Sequence, residues 1–124
     1  MTPLRTPLRE KAYRRGLWAE TLAILYLMCK GYRPVARRYK TKYGEIDVVA
    51  VRGRTLAFIE VKARPSRTEG LEAITPKAQQ RILQAAQHFA QRRKAYQNYV
   101  WRFDALVVSP RAMPYHVKDA WRVS

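Results

Sequence analysis

Four charged residues near the middle of the chain have the types and spacing to bind a metal ion and hydrolyse a phosphate ester: Glu45, Asp47, Glu60 and Lys62. They lie in two apolar segments, rich in Val, Ile and Phe, which predict a β-hairpin. A two-residue turn with Gly53 in its first position suits type II′ geometry. This register places Asp47 opposite Glu60. It also places Glu45 opposite Lys62. Because side chains alternate along a strand, all four are expected on one face of the sheet.

Repulsion between the acids of this cluster predicts a bound cation. Like charges on directly opposed residues, with Cβ atoms about 4.5–5.5 Å apart, destabilise a sheet, and one lysine does not balance two or three carboxylates. Oxygen ligands favour Mg²⁺ or Mn²⁺ over zinc or copper. Such a metal would polarise a phosphate and lower the pKa of a bound water. Lys62 would orient or deprotonate that water, and Glu45 is expected to hold Lys62 across the strands.

Two alternative interpretations of the cluster stay open. A three-residue hairpin loop would put Asp47 and Glu60 on opposite faces unless a bulge restored the phase. With the predicted register, Lys62 and one acid could also form a structural ion pair without any metal.

A long helix is predicted before the hairpin, from about Glu10 to Lys30, because strong helix formers dominate this segment. Between Leu17 and Cys29 its apolar residues wrap nearly all round, so the helix should be covered on most sides. Glu20 is the only charged residue in that stretch. A buried carboxylate needs a charged partner, a metal or a raised pKa.

A second helix and further strands follow the hairpin. Thr75 as N-cap and Pro76 at the first helical position predict a helix that runs to about Tyr96. Its polar face carries Lys77, Arg81, Gln84 and His88 at helical spacing, which suits phosphate contacts or a solvated surface. The predicted strands are Arg33–Lys40, Glu45–Val51, Thr55–Arg64, Trp101–Ser109 and Tyr115–Lys118, and residues 65–74 are predicted as a loop.

These elements predict one α/β domain over residues 10–124, with a mixed central sheet, a β-hairpin core and helices on both faces. Residues 1–9 repeat Thr-Pro-Leu-Arg and predict a flexible basic arm. The hairpin itself should be buried on both faces. Beside the acids it carries Val49, Val51, Leu56 and Phe58; the other face carries Ile46, Val48, Ala50, Ala57, Ile59 and Val61.

The composition points to an anionic partner. The 124-residue chain carries 25 Lys and Arg against 9 Asp and Glu, a net charge of +16. Nucleic acid is the first expectation for so basic a domain, a membrane surface the second, and a merely solvated surface the alternative. The single Cys29 excludes an internal disulfide and a cysteine-based zinc site. The longest apolar run is too short to span a bilayer, which needs about 20 residues, so we expect a cytoplasmic protein outside the membrane.

The hairpin motif resembles the core of PD-(D/E)XK nucleases: Gly44-Glu45-Ile46-Asp47 is followed, after twelve residues, by Glu60-Val61-Lys62. Ile46 stands where the name of that motif has proline, a position that varies among such nucleases. Matches along residues 14–121 further resemble the bacterial YraN family, described as candidate endonucleases. The resemblance implies the fold of archaeal Holliday-junction resolvases and type II restriction enzymes. The matching segments are Gly16-x-x-Ala19-Glu20, Gly31-Tyr32, Phe58–Arg64, Lys77 with Arg81-Ile82, Arg102-Phe103-Asp104 and His116-Val117-x-x-Ala120-Trp121.

The same resemblance implies a role for each site residue. Asp47 and Glu60, aided by the Val61 carbonyl, would hold Mg²⁺ or Mn²⁺, and Lys62 would act on the attacking water. Glu20 would match an additional acid that resolvase-like members use near the metal; the alternative is a helix carboxylate that pairs with Arg14, Arg15 or solvent. Our candidate contacts to nucleic acid are Lys77, Arg81 and Arg64.

Three functions follow as expectations. The first is a Mg²⁺-dependent endonuclease that cuts DNA, including branched or damaged structures. The second is a catalytically silent nucleic-acid-binding protein of the same fold. The third is a scaffold on an anionic membrane surface, which the uniformly apolar first helix disfavours. Resolvase-like enzymes tend to be dimers, so the resemblance also favours a homodimer.

Overall fold

The computed structural model of the protein describes residues 7–122, with side chains described from residue 16 onward. Its elements are helix α1 (Pro7–Cys29), strands β1 (Arg33–Lys40), β2 (Glu45–Arg52) and β3 (Thr55–Ala63), helices α2 (Arg67–Glu72) and α3 (Pro76–Gln91), a 3₁₀ turn (Lys94–Tyr96), and strands β4 (Val100–Val108) and β5 (Tyr115–Val117).

The strands form one five-stranded mixed sheet in the order β1-β2-β3-β4-β5. The first three are antiparallel, β4 runs parallel to β3, and β5 is antiparallel to β4. The parallel step requires a long crossover, which α2 and α3 supply. The predicted α/β fold with a mixed sheet and a central hairpin is confirmed.

Two apolar clusters lie on opposite faces of the sheet, so helices cover both faces as predicted. Strand residues alternate between the clusters because successive side chains point to opposite sides. The α1 face contains Ala23, Leu27, Val48, Ala50, Ala57, Ile59 and Leu106. The α3 face contains Ile82, Ala86, Phe89, Val49, Val51, Leu56 and Phe58.

The hairpin has the predicted register. Arg52 pairs with Thr55, and the pairing continues inward to Val48 and Ile59. Gly53 has a φ of 59°, the left-handed conformation that the first position of a type II′ turn requires. The two-residue turn therefore sets which residues of β2 and β3 face each other.

The helix boundaries differ from the prediction in three places. Helix α1 begins at Pro7 instead of Glu10; residues 1–6 of the predicted basic arm lie outside the described residues. Helix α3 has the predicted Thr75 cap, whose hydroxyl accepts the Ala78 N–H, but it ends at Gln91. The third difference is α2, which replaces part of the predicted loop.

Two aromatic rings pack across the early end of α3. In a continuing helix Phe89 and Tyr96 would be about 10.5 Å apart along the axis. The chain instead leaves the helix at Gln91 and forms the 3₁₀ turn, and the two rings stack with centroids 6.2 Å apart. This contact accompanies the early end of the helix.

A buried ionic network holds β4 and β5 to the start of β1. Asp104 has no exposed surface. Its carboxylate accepts hydrogen bonds from the Arg102 guanidinium at 2.8 and 2.9 Å and from the Asp119 N–H at 3.0 Å, and it lies 2.8 Å from His116 Nε2. Arg102 also bonds to the Tyr32 hydroxyl. Burial alone would raise the pKa of Asp104, but the hydrogen bonds outweigh it and lower the pKa.

We expect Arg102→Ala to lower the free energy of unfolding by about 3–5 kcal/mol, because it leaves the buried Asp104 carboxylate without its main charge partner. Arg122→Ala is the matched control. Arg122 pairs with Asp119 at 2.9 Å, but its side chain is 86% exposed, so its removal should leave stability nearly unchanged. Urea denaturation of both variants measures the difference, and equal effects would contradict a structural role for this network.

Candidate active site

Strands β2 and β3 separate at the point where the predicted acids meet. Their ladder of paired residues ends at Val48 and Ile59. Beyond it, the N–H of Val61 donates a 2.8 Å hydrogen bond to Oδ2 of Asp47. A side-chain oxygen thus occupies the place that a carbonyl of β2 would hold in a continuing ladder. This bond fixes the Asp47 carboxylate between the two strands.

The separation overturns the prediction that Ile46 shares a face with Val48 and Ala50. Those two residues pack beneath α1, whereas Ile46 is 1% exposed and packs in the cluster beneath α3, with Val49. The alternation therefore changes phase at Asp47. The reason is that regular alternation assumes a continuous ladder, and the ladder with β3 ends at Val48, the residue next to Asp47.

Glu60 lies at the centre of the predicted cluster. Its carboxyl group lies beside that of Asp47, and Lys62 and Glu45 are close enough to influence its charge. Burial, proton sharing with Asp47 and the negative charge of Asp47 raise the pKa of Glu60 to about 9, against the opposing effect of Lys62. Asp47, Lys62 and Glu45 are thus all neighbours of Glu60, although the ladder no longer pairs them. The predicted hold of Glu45 on Lys62 is not seen, because no ion pair joins them among the described residues.

Two carboxylates and one backbone oxygen could hold a cation here. The Val61 N–H points toward β2, and in a strand the N–H and C=O of one residue point the same way. The Val61 carbonyl is therefore directed toward the Asp47 side. Mg²⁺ is commonly bound through one or two carboxylates, retained waters and substrate phosphates. Asp47 and Glu60 fit that pattern, because they repel each other unless a proton or a cation lies between them.

The described residues contain no group of three or more His, Cys, Asp and Glu side chains that could hold a metal ion. An additional carboxylate from α1 is thus not gathered with the hairpin acids. A cation at Asp47 and Glu60 would complete its shell with the backbone oxygen, water and substrate.

A pocket of about 230 Å³ opens beside the acids. Its hairpin side includes Glu45 and Glu60, and its α3 side includes Lys77 and Arg81. Two of the three predicted nucleic-acid contacts therefore face Glu60 across one pocket, whereas Asp47 and Lys62 are not among the residues that line it. The full lining is Gly44, Glu45, Glu60, Thr75, Lys77, Ala78, Arg81 and Ile82.

Gly44 sets how closely the β1–β2 turn approaches α3. A Cβ atom at this position would lie 2.9 Å from the Arg81 carbonyl oxygen and 3.0 Å from its Cβ. Those separations are shorter than ordinary van der Waals contact. Glycine is therefore required here for close backbone approach, which places the Arg81 side of α3 beside the acids.

Glu20 is held by arginines of β1. Its Oε1 and Oε2 accept hydrogen bonds from Arg38 at 2.7 and 3.2 Å, and the Arg37 guanidinium lies 3.7 Å away. Sequence reasoning missed Arg38, which lies on β1 opposite the Asp47 position, between the Arg37–Val48 and Tyr39–Ile46 pairs. Its φ of 52° is uncommon for a residue other than glycine, and no sequence pattern marks it.

Arg64 lies apart from the other two predicted nucleic-acid contacts. Its guanidinium donates a 2.8 Å hydrogen bond to the Ala63 carbonyl. It lines a separate, mainly apolar groove with Trp18 and Met113. Only Lys77 and Arg81 share a pocket with the hairpin acids.

Comparison with known proteins places the chain in a family. The sequence profile of UPF0102, described as an uncharacterised protein family, matches residues 19–108. The chain belongs to the UPF0102 family. UPF0102 is the YraN family, so the resemblance stated from the sequence is confirmed.

Bacterial UPF0102 proteins match nearly the whole chain. One from Parvibaculum lavamentivorans is 51% identical over 111 residues, covering 90% of this chain and 84% of the relative. Another from Bradyrhizobium diazoefficiens is 46% identical over 119 residues, covering 96% and 90%. A third from Rhodopseudomonas palustris is 46% identical over 123 residues, covering 99% and 95%. Their names give the family and state no activity.

Within residues 7–122, none of the helices combines the length and the apolar character needed to cross a bilayer.

Without divalent cations, we expect the protein to become less stable as pH rises. Between the ordinary carboxyl pKa of 4.5 and the raised value of about 9, folded Glu60 keeps a proton that the unfolded chain has released, so rising pH favours unfolding. Glu60→Gln should flatten this decline in melting temperature. Glu72→Gln, at an exposed position on α2, is the control. The melting temperature in EDTA, measured from pH 5 to 9, tests this expectation. The same dependence of melting temperature on pH in all three proteins would contradict the raised pKa of Glu60.

Proposed function

We propose that the protein is a Mg²⁺- or Mn²⁺-dependent endonuclease that hydrolyses phosphodiester bonds in DNA. The observation that carries the proposal is the Asp47 carboxylate, held by the Val61 N–H where β2 and β3 separate, with Glu60 beside it. Lys62 lies near Glu60, and Lys77 and Arg81 line the same pocket as Glu60. The proposed reaction needs carboxylates that bind a metal ion and cationic side chains that bind the phosphate.

Each side chain has a defined part in the proposed reaction. Asp47, fixed by the Val61 N–H, and Glu60 hold the cation together with the Val61 carbonyl. When bound, the cation supplies Lewis acidity at the phosphate and lowers the pKa of water. Lys62 orients the attacking water and offsets negative charge that develops on the phosphate.

The cations of α3 serve the substrate in this proposal. Lys77 and Arg81 face Glu45 and Glu60, so a phosphate between the two sides would meet positive charge on one and the metal-holding acids on the other. The net charge of +16 supports binding of a polynucleotide through its backbone. Without this positive charge, Glu45 and Glu60 would repel the phosphate backbone of the polynucleotide.

A second candidate is a catalytically silent nucleic-acid-binding protein of the same fold. One observation favours it: Glu20, the acid expected to assist the metal, is occupied by Arg38. The two candidates agree on binding and differ on cleavage, so one set of variants distinguishes them.

We expect purified protein to cut linear, nicked, flapped or four-way DNA in Mg²⁺ or Mn²⁺. Asp47→Asn, Glu60→Gln and Lys62→Met should each reduce the cleavage rate by about 10²–10⁴-fold, the range for loss of a positioned catalytic group. Glu72→Gln and Lys118→Gln are matched controls at exposed positions outside the pocket. Gel-based cleavage assays measure the rates. DNA binding without metal-dependent cutting of any substrate would favour the silent protein.

A metal titration tests the role of Glu20. If Glu20 only anchors Arg38, Glu20→Gln should lower the melting temperature and leave the Mn²⁺ affinity within about threefold of the unmodified protein. Glu60→Gln should weaken Mn²⁺ binding at least tenfold, because it removes a charged ligand. Calorimetric titration measures both affinities, and a loss for Glu20→Gln as large as that for Glu60→Gln would show that Glu20 is a ligand.

A further inference from the structure

A second groove, of about 790 Å³, lies between the β1–β2 turn and the far half of α3. None of the described residues that line it is acidic. The turn contributes two lysines and a tyrosine, and the helix contributes three glutamines and an arginine. The lining residues are Lys40, Thr41, Lys42, Tyr43, Gln84, Gln87, His88, Gln91 and Arg92.

The turn side of this groove is ordered by Thr41. Its hydroxyl accepts the N–H groups of Tyr43 and Gly44, each at 3.1 Å, and donates to the Gly44 carbonyl at 2.9 Å. The Tyr43 ring is 48% exposed, and the Lys42 ammonium lies 5.2 Å from the ring centroid. An aromatic face and a cation are thus presented together on a fixed turn.

The helix side is ordered by His88. Its Nε2 accepts a 3.2 Å hydrogen bond from Arg92, and its Nδ1 lies 2.6 Å from the Tyr39 hydroxyl. Because Nε2 accepts, Nδ1 carries the proton of the neutral ring and donates to Tyr39. Arg92 is therefore held at the groove by a histidine anchored to β1.

The groove continues directly from the candidate active site. Lys40 in the groove is the ladder partner of Glu45 in the pocket. Gly44 and Arg81 join the two at the close contact between turn and helix. On α3, Gln84 follows Arg81 by one helical turn, so a chain leaving the pocket along the helix would enter this groove.

We propose that this groove binds a single-stranded segment of DNA next to the cleavage point. Lys40, Lys42 and Arg92 would contact its phosphates. Tyr43 would stack on an unpaired base, and the glutamine amides, which donate and accept, would bond to base edges. The bases of a duplex are already stacked and paired, so a fixed aromatic face and an amide row suit an unpaired strand better. This proposal rests on the proposed endonuclease function only where it speaks of a cleavage point, because DNA binding in the groove does not require cleavage.

The test measures binding without metal, so that it does not depend on catalysis. Fluorescence anisotropy in EDTA follows a labelled single strand, its duplex and an abasic single strand across a salt series. Lys40→Gln/Lys42→Gln should reduce the log–log salt slope for the single strand by about 1.4, from about 0.7 per phosphate contact. Arg54→Gln/Lys118→Gln removes the same charge at exposed positions outside the groove and should leave the slope unchanged.

Tyr43→Leu tests stacking separately from charge. It should weaken binding of the ordinary single strand by about 5- to 150-fold, the range for loss of one base–aromatic stack, and leave the abasic strand unaffected. Equal weakening of both strands, or of the duplex as strongly as the single strand, would overturn the assignment to unpaired DNA.

The outcomes separate this proposal from the endonuclease. If the lysine variant keeps the slope of the unmodified protein, the groove is not a DNA site, whether or not the protein cuts. If the groove variants behave as expected and no DNA is cut in Mg²⁺ or Mn²⁺, the endonuclease proposal fails and the strand-binding groove is supported.

Discussion

The hydrogen bond from the Val61 N–H to the Asp47 carboxylate is the constraint on which the candidate site depends. It satisfies a backbone donor that the ended ladder leaves without a partner, which a buried strand requires. It also holds a charged group between β2 and β3. Because the strands separate there, Ile46 rotates into the cluster beneath α3 and joins Ile82. The end of strand pairing thus positions the Asp47 carboxylate and also brings Ile46 against the helix that carries Lys77 and Arg81.

Charge explains why the site needs something between its acids. Asp47 and Glu60 are in contact, and burial makes two negative charges there costly. A proton on Glu60 relieves this repulsion, and a divalent cation would relieve it more completely. Glu20 and Asp104 solve the same problem differently, because arginines compensate both. Glu60 differs from these two acids in having a lysine nearby and a pocket beside it.

Local sequence determines much of this arrangement. The glycine-first turn predicts the hairpin register, and the register predicts that Asp47 and Glu60 meet. Ser66-x-x-Glu69 is a capping-box pattern, so α2 could have been predicted as well; the Ser66 hydroxyl does cap that helix.

Other features depend on contacts between distant residues. The position of Ile46 could not be predicted from the sequence. Strand pairing ends where the Asp47 side chain replaces a backbone acceptor, and such an end leaves no periodic pattern of apolar residues. The positive φ of Arg38 likewise has no local signal, and the fit of Gly44 against Arg81 joins residues far apart in the chain. The confirmed family membership supports the fold. Because the family's description states no activity, the proposed chemistry rests on the geometry of the site.

Diffraction from crystals of the unmodified protein soaked in Mn²⁺, recorded for anomalous signal, tests the central claim most directly. The account predicts one anomalous peak within direct coordination distance of carboxylate oxygens of both Asp47 and Glu60. Saturating Mn²⁺ with no peak at this position would contradict it.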